Sequence, residues 1–368
     1  MTPASLYFRH TQAEYLSSGR LWQGIPGLER TSGGVLYACW YSGGKTEEPG
    51  NVIIMERSTD DGETFSDGFL LVRHDDPEVR CFDPALWCDP HGALRLFWTQ
   101  SRGFFDGRDG VWMSVCENPD DPKPCFSPPR RIANGLMMNK PTVTRSGEWL
   151  FPCAIWNNEY AKPLEEHPEL AKEMRSNVYV SVDEGRSFTF RGSADVPDRT
   201  FDEHMVVEKE DGSLWMLVRT RRGIGQAFSY DSGVTWENPG FSGHYGPNSR
   251  FFIRRLQSGR LLLVNYVNPT YAFESGYSVR TNLMAMLSED DGKTWIGGLM
   301  LDTRRDVSYP DGVQDSEGRI WLIYDRERYK AKEILYACIT EEDILAGQLV
   351  NSASRLRCLV NRAGGSPR

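Results

Sequence analysis

The chain has 368 residues, of which 39% are apolar and 12% aromatic, enough to bury a large core and to exclude a disordered segment. Its formal charge of -9 repels a long polyphosphate, so no nucleic-acid partner is expected. The opening "MTPASLYFRHTQAEYL" lacks a basic flank followed by an apolar core, and no stretch approaches the roughly 18 continuous apolar residues of a membrane span. Neither secretion nor a membrane partner is indicated, and a cytoplasmic protein is the expectation.

Taken in chain order, short β-rich apolar runs appear as "NVIIMER", "ALRLFWTQ", "NVYVSVD", "SLWMLVRT", "RFFIRRL", "RLLLVNYV", "NLMAMLS" and "RIWLIYD". Thirty-five Gly and 21 Pro are spread between them, as tight turns between short strands require. Long helical periodicity is missing. The one good helix start is "TEEDILAG", where Thr340 caps and Asp343 completes a capping-box variant, predicting a short helix near 340–347. Eight cysteines (Cys39, Cys81, Cys88, Cys116, Cys125, Cys153, Cys338, Cys358) lack zinc-site spacings and read as reduced thiols. The six histidines form no ligand cluster. No metal and no cofactor are called for.

Four segments repeat one pattern: "STDDGETF" from Ser58, "SVDEGRSF" from Ser181, "SYDSGVTW" from Ser229 and "SEDDGKTW" from Ser288. In each, an Asp can accept from the N–H groups of its own turn, a Gly permits positive φ, and an aromatic anchors the hairpin. The intervals are 123, 48 and 59 residues, and the first holds a worn copy, "SVCENPDDPKPCFSPPR", with Cys125 and Phe126 in the aromatic's place. Hairpins repeating every 50 to 60 residues or so fit blades of four strands. The expectation is an all-β, six-bladed β-propeller of four-stranded antiparallel blades filling residues 1–368 as a single domain. A strand near Ser5 to Phe8 is expected to complete the last blade and close the ring, which protects sheet edges. The aspartates of the repeat serve turns and are not catalytic candidates.

With these repeats the chain resembles the sialidase superfamily, whose propellers carry such "Asp boxes" on one rim and an active site on the opposite central face. In "FDEHMVVEKEDGSLWMLVRT", Glu203 precedes a hairpin that ends at Arg219, where the family has the glutamate that partners its nucleophile and an arginine of its carboxylate clamp. In "SVRTNLMAMLSEDDGKTW", Arg280 falls where the family has its last clamp arginine. In "VSYPDG", Tyr309 falls where the family keeps its nucleophile. Two departures accompany these matches. The family opens its first blade with Arg-Ile-Pro, whereas "LWQGIPG" has Gly24 there, with Gln23 beside it. The family's acid/base aspartate is replaced in "GGKTEEPGN" by Glu47, with Glu48 close behind. Other polar residues expected near the central face, as substrate-binding candidates, are Arg108 in "FFDGRDGVW", Asn139 and Lys140 in "GLMMNKPTV", His204, Arg250 in "YGPNSRFF" and Asp311. Arg108 would replace the lost clamp arm, and Asp311 would bond the loop backbone after Pro310.

The resemblance implies a retaining exo-glycosidase acting on a terminal, acidic sugar, with a carbohydrate as its partner and no assigned oligomeric state. Tyr309 would attack, Glu203 would take its proton, and Glu47 would protonate the leaving oxygen. A phenol with a reference pKa of about 10 is a poor nucleophile until a carboxylate accepts its proton, and it avoids the repulsion that a carboxylate nucleophile meets at an anomeric carbon bearing its own carboxylate. The alternatives are a polysaccharide lyase or glycosidase of other specificity on the same scaffold, or a carbohydrate-binding propeller without turnover.

Overall fold

The computed structural model describes residues 1–158, 161–267 and 279–365. Six antiparallel sheets follow one another along the chain, and each steps outward in chain order from an innermost strand. The innermost strands are Gln23–Arg30, Val79–Cys88, Thr142–Val143, Arg199–Glu208, Phe252–Arg255 and Val307–Gln314. This is the six-bladed propeller of four-stranded sheets expected from the repeat.

The blades form where they do because both faces of a middle strand are covered by neighbouring blades. Strand Leu36–Ser42 is buried at every position, and its sequence accordingly reads as a continuous run and not as an alternation. One of its faces packs Trp40 with Ile54 and Leu71 against Trp321, Ile323 and Ile334 of the last blade. The other sets Tyr37, Cys39 and Tyr41 against Leu86, Leu96 and Trp98 of the second.

The repeated box is a turn lock. Asp60 Oδ1 accepts from the Ser58 hydroxyl (2.6 Å) and the Thr64 N–H (3.0 Å), while Ser58 Oγ accepts from the Gly62 N–H (2.9 Å). The same bonds recur around Asp183, Asp231 and Asp290. The hydroxyl donors Ser58 and Thr64 hold the Asp60 carboxyl down at about 2. Glycine is required at the third turn position, since Gly62 has φ +80° and a Cβ there would meet the Tyr336 hydroxyl at 2.7 Å. In the last blade the helix Glu341–Ala346 takes the place of the box, with the capping box between Thr340 and Asp343 formed and Gly347 in the left-handed region at its end.

Ring closure differs from expectation. Ser5–Phe8 pairs with Leu70–Arg73 as a fifth strand on the outer edge of the first blade. The outer position of the last blade is already filled by Arg355–Arg362, which follows the helix and pairs with Glu333–Ile339. Among the described residues no strand is shared across the seam, and side chains and the segment after Arg355–Arg362 close it instead. Gln23 Nε2 donates to the Lys332 carbonyl (2.7 Å), and the fully buried Arg20 donates to Asn361 Oδ1 (2.5 Å). Asp311 Oδ2 accepts from the Leu28 N–H (2.9 Å), and Gly364 N–H donates to the Ser17 carbonyl (2.8 Å). Among the described residues no helix is long and apolar enough to cross a membrane.

Candidate active site

Four of the six innermost strands carry the same irregularity near their start. The pairing with the second strand slips between Gly24 and Gly27, Phe82 and Ala85, Asp202 and Met205, and Ser308 and Asp311. Each slip holds a non-glycine residue with positive φ: Ile25 (60°), Asp83 (48°), Glu203 (42°, after Asp202 at 59°) and Tyr309 (57°). Such bulges re-aim side chains, and left-handed backbone at a bulky residue costs on the order of 1–3 kcal/mol, so it persists only where the surroundings enforce it. The surroundings do so here. Asn139 Nδ2 donates to the carbonyls of Glu203 (2.8 Å) and His204 (3.0 Å). Asp325 Oδ2 accepts from the Ile25 N–H (2.8 Å).

The re-aimed residues meet at the hub. Tyr309 Oη donates to Glu203 Oε1 (3.0 Å), although the two come from the sixth and fourth blades, which are not neighbours. Arg219 Nη1 donates to the same carboxylate oxygen (2.5 Å) and to Tyr309 Oη (2.8 Å). Burial is the main force on the Tyr309 hydroxyl. It outweighs the nearby guanidinium groups and pushes the phenol up to about 12, so the group is protonated at neutral pH. Arg219 is buried too, which opposes its charge, yet Glu203 and Tyr309 hold it above its ordinary value.

Asn248 sets both clamp candidates. Its carbonyl accepts from Arg219 Nη2 (3.0 Å) and Arg280 Nη2 (3.0 Å), and its Oδ1 accepts from Arg219 Nε (2.7 Å). Three guanidinium carbons then surround the Tyr309 ring, those of Arg219, Arg280 and Arg328 at 6.0, 5.2 and 4.3 Å from its centroid. Arg328 donates from Nε to Asp325 Oδ2 (2.9 Å), from Nη1 to Glu47 Oε1 (3.1 Å) and from Nη2 to Ser308 Oγ (3.3 Å). Glu47 thus faces the hub, at the end of a loop that also touches Tyr329 through Thr46 (3.0 Å). Glu48 is turned into that loop, its Oε1 accepting from the Lys45 N–H (2.6 Å). A cavity of about 360 Å³ adjoins these groups, lined among the described residues by Arg280, Asp306, Ser308, Glu327, Arg328 and Tyr329 and not by Tyr309, Glu203, Arg219 or Glu47. The larger cavity, about 470 Å³, lies at the far ends of the innermost strands, near Glu208 and Arg255, and holds none of these residues.

The other expected substrate contacts are placed elsewhere. Arg108 is an exposed rim residue paired with Glu169 at 3.0 Å, so it does not stand in the lost clamp position. Asn139 and His204 lie behind the Glu203 bulge. His204 donates from Nε2 to the Asn177 carbonyl (2.7 Å), and burial drives its pKa down to about 4, leaving it neutral. Lys140, Arg250 and Asp311 form a buried ionic cluster beneath the site. The Lys140 ammonium donates to the Leu28 and Leu86 carbonyls (2.5 Å each) and to Glu29 (3.1 Å), and lies 3.4 Å from Asp311. Arg250 lies 3.3 Å from the other Asp311 oxygen. Asp311 bonds the backbone of the neighbouring first blade and not its own loop. Charges buried this deeply hold blades together because removing one strands its partner.

Sequence reasoning missed Asp83, Asn248, Arg328 and Asp325. Asp83 is buried and, with desolvation the main cause, pushed up to about 8, while sharing the field of Arg80, Glu47, Glu203 and Arg328. A signal for it existed: Ile25-Pro26, Asp83-Pro84, Lys140-Pro141 and Tyr309-Pro310 each put a residue before proline at the start of a blade. Arg328 and Asn248 have no such mark.

A model of the BNR repeat-like domain matches residues 34–322. The chain belongs to the BNR repeat-like family. Solved structures place this member's fold among the sialidases. The NanB sialidase of Streptococcus pneumoniae superposes with a TM-score of 0.64 at 12% identity, over 93% of this chain and 71% of that one. The intramolecular trans-sialidase of Ruminococcus gnavus gives 0.62 at 13%, over 93% and 98%. A Dyadobacter fermentans protein of unknown function gives 0.63 at 15%, over 89% and 94%. No curated protein matches. Among the described residues no group of three or more His, Cys, Asp or Glu side chains is arranged to hold a metal ion.

Proposed function

We propose that this BNR repeat-like propeller is a retaining exo-glycosidase that removes a terminal acidic sugar, related to the sialic acids or another 2-keto-3-deoxy acid, from a glycan or oligosaccharide. The observation that carries the reading is the 3.0 Å hydrogen bond from Tyr309 to Glu203 across non-adjacent blades, with Arg219 on both partners. A phenol pushed up to about 12 cannot attack as a preformed phenolate. Its proton passes to Glu203 as the Tyr309 oxygen bonds to the anomeric carbon. The bond to the leaving oxygen breaks, and Glu47 supplies that oxygen's proton. In the second half, Glu47 takes a proton from water as the water oxygen displaces Tyr309, which recovers its proton from Glu203. Arg219 and Arg280, both anchored on Asn248, bind the sugar's carboxylate through charge-assisted bonds.

The test is a panel of fluorogenic glycosides covering sialic-acid, ketodeoxy-acid, uronic and neutral sugars, with product masses recorded. Release of an acidic sugar carrying one added water supports the reading. An unsaturated product lacking that water assigns a lyase, and binding without release assigns a lectin-like propeller.

A further inference from the structure

The third guanidinium at the hub remains to be explained, and its position is coupled to a glycine. Gly24 stands at the first bulge with an ordinary φ, and a Cβ built on it would lie 2.6 Å from Arg328 Cδ and 2.8 Å from its Nε. The Arg328 stem therefore fills the space that any side chain at position 24 would take. Asp325 fixes both sides of this exchange. Its Oδ2 accepts from the Ile25 N–H next to the glycine and from Arg328 Nε, and its Oδ1 accepts from Ser308, the residue before Tyr309.

The placement leaves donors over. A guanidinium has five N–H groups, and Arg328 commits one each to Asp325, Glu47 and Ser308. Its side chain keeps 12% of its exposure, and it lines the same cavity as Arg280. Among the described residues Arg280 commits one N–H, to the Asn248 carbonyl. Two cations on one cavity wall, both over the ring of the same phenol, present uncommitted N–H groups to an anionic ligand.

We propose that Arg328 is a specificity-determining residue that grips the substrate's carboxylate together with Arg219 and Arg280, from the last blade and through the opening that Gly24 leaves in the first. This deepens the reading of the site as one for an acidic sugar and rests on it. Arg328 also touches Glu47, so bound anion and proton donor share one positioning group.

The experiment compares calorimetric affinities for N-acetylneuraminate and for 3-deoxy-D-manno-octulosonate, each as the free acid and as its methyl ester. The wild-type protein is expected to prefer at least one acid over its ester tenfold or more. Arg328→Ala should cut that preference at least tenfold and leave ester binding within about threefold. Gly24→Ala, which displaces the Arg328 side chain without removing it, should weaken the acid and spare the ester, and it decides the matter if Arg328→Ala does not fold. Gly24→Arg combined with Arg328→Ala returns a guanidinium from the other blade and should restore part of the preference. A wild-type preference that survives both single substitutions overturns the role of Arg328 and leaves the acidic-sugar reading standing. A wild-type protein that ranks acid and ester alike for both sugars overturns that reading, and the clamp with it.

Discussion

The Tyr309 hydroxyl sits between two groups with opposite demands, a guanidinium that favours its ionised form and a carboxylate that favours its neutral form, and burial settles the contest for the neutral phenol. In the proposed reaction, attack by Tyr309 therefore depends on Glu203 being within reach. Tyr309→Phe removes the proposed nucleophile and its bonds to Glu203 and Arg219 while keeping the ring over which Arg280 and Arg328 lie. Turnover of the preferred glycoside should fall by about 10³-fold or more, with calorimetric binding of the product sugar within about threefold. A phenylalanine variant that retains a tenth of the activity would remove Tyr309 from the chemistry. At the same scale, Arg108 shows how weak a single residue type is as evidence: the arginine proposed for the hub is on the rim, and the one found there, Arg328, lies in "DRERYKAK", which reads as an ordinary solvated turn.

The bulged innermost strand is the element that makes a site out of a scaffold. It puts two residues opposite one on the second strand, where regular pairing would put one, and in the second, fourth and sixth blades it delivers Asp83, Glu203 and Tyr309 to the same hub. One consequence is measurable through Asp83, which the bulge carries out of solvent. Its folded pKa of about 8 lies above the usual carboxylate value of 3.8, so the native state holds this proton more tightly than the unfolded chain. The resulting contribution to stability is fully present below about pH 4 and is lost as the pH rises toward 8. Asp83→Asn should thus gain stability relative to the wild type between pH 4 and 8, read as urea midpoints across that range. A difference that stays constant with pH would mean that Asp83 is ionised throughout in the native state.

At the scale of the whole molecule, the described residues close the ring without a shared strand. The seam between the first and last blades depends on buried polar groups, and Asp325 is the one that joins it to the site, accepting from Ile25, Arg328 and Ser308 with no exposed surface. Asp325→Ala would leave a buried cation and two further donors without their acceptor. The expected loss is about 3–5 kcal/mol, measured by urea unfolding, together with loss of turnover. An unchanged midpoint would show that the seam is held elsewhere. Because the same carboxylate pins the first bulge, Arg328 and the residue beside Tyr309, the closure and the site stand or fall together.

What the sequence by itself determined is whatever recurs locally. The box turns need an Asp, a Gly and a hydroxyl at set spacing to satisfy their own backbone, and strands buried on both faces need unbroken apolar runs, so blade number, strand positions and the Thr340 cap were all legible. The order of Glu203, Arg219, Arg280 and Tyr309 was legible only through the resemblance to the sialidase superfamily that the repeats suggested. Only the tertiary structure decided which groups share the hub, since contacts between blades join residues as distant in sequence as Ile25 and Asp325, 300 positions apart, through a space that no local pattern encodes. That is why Ser5–Phe8 went to the first blade, where an edge was open, and why an arginine from the last blade fills the gap above Gly24.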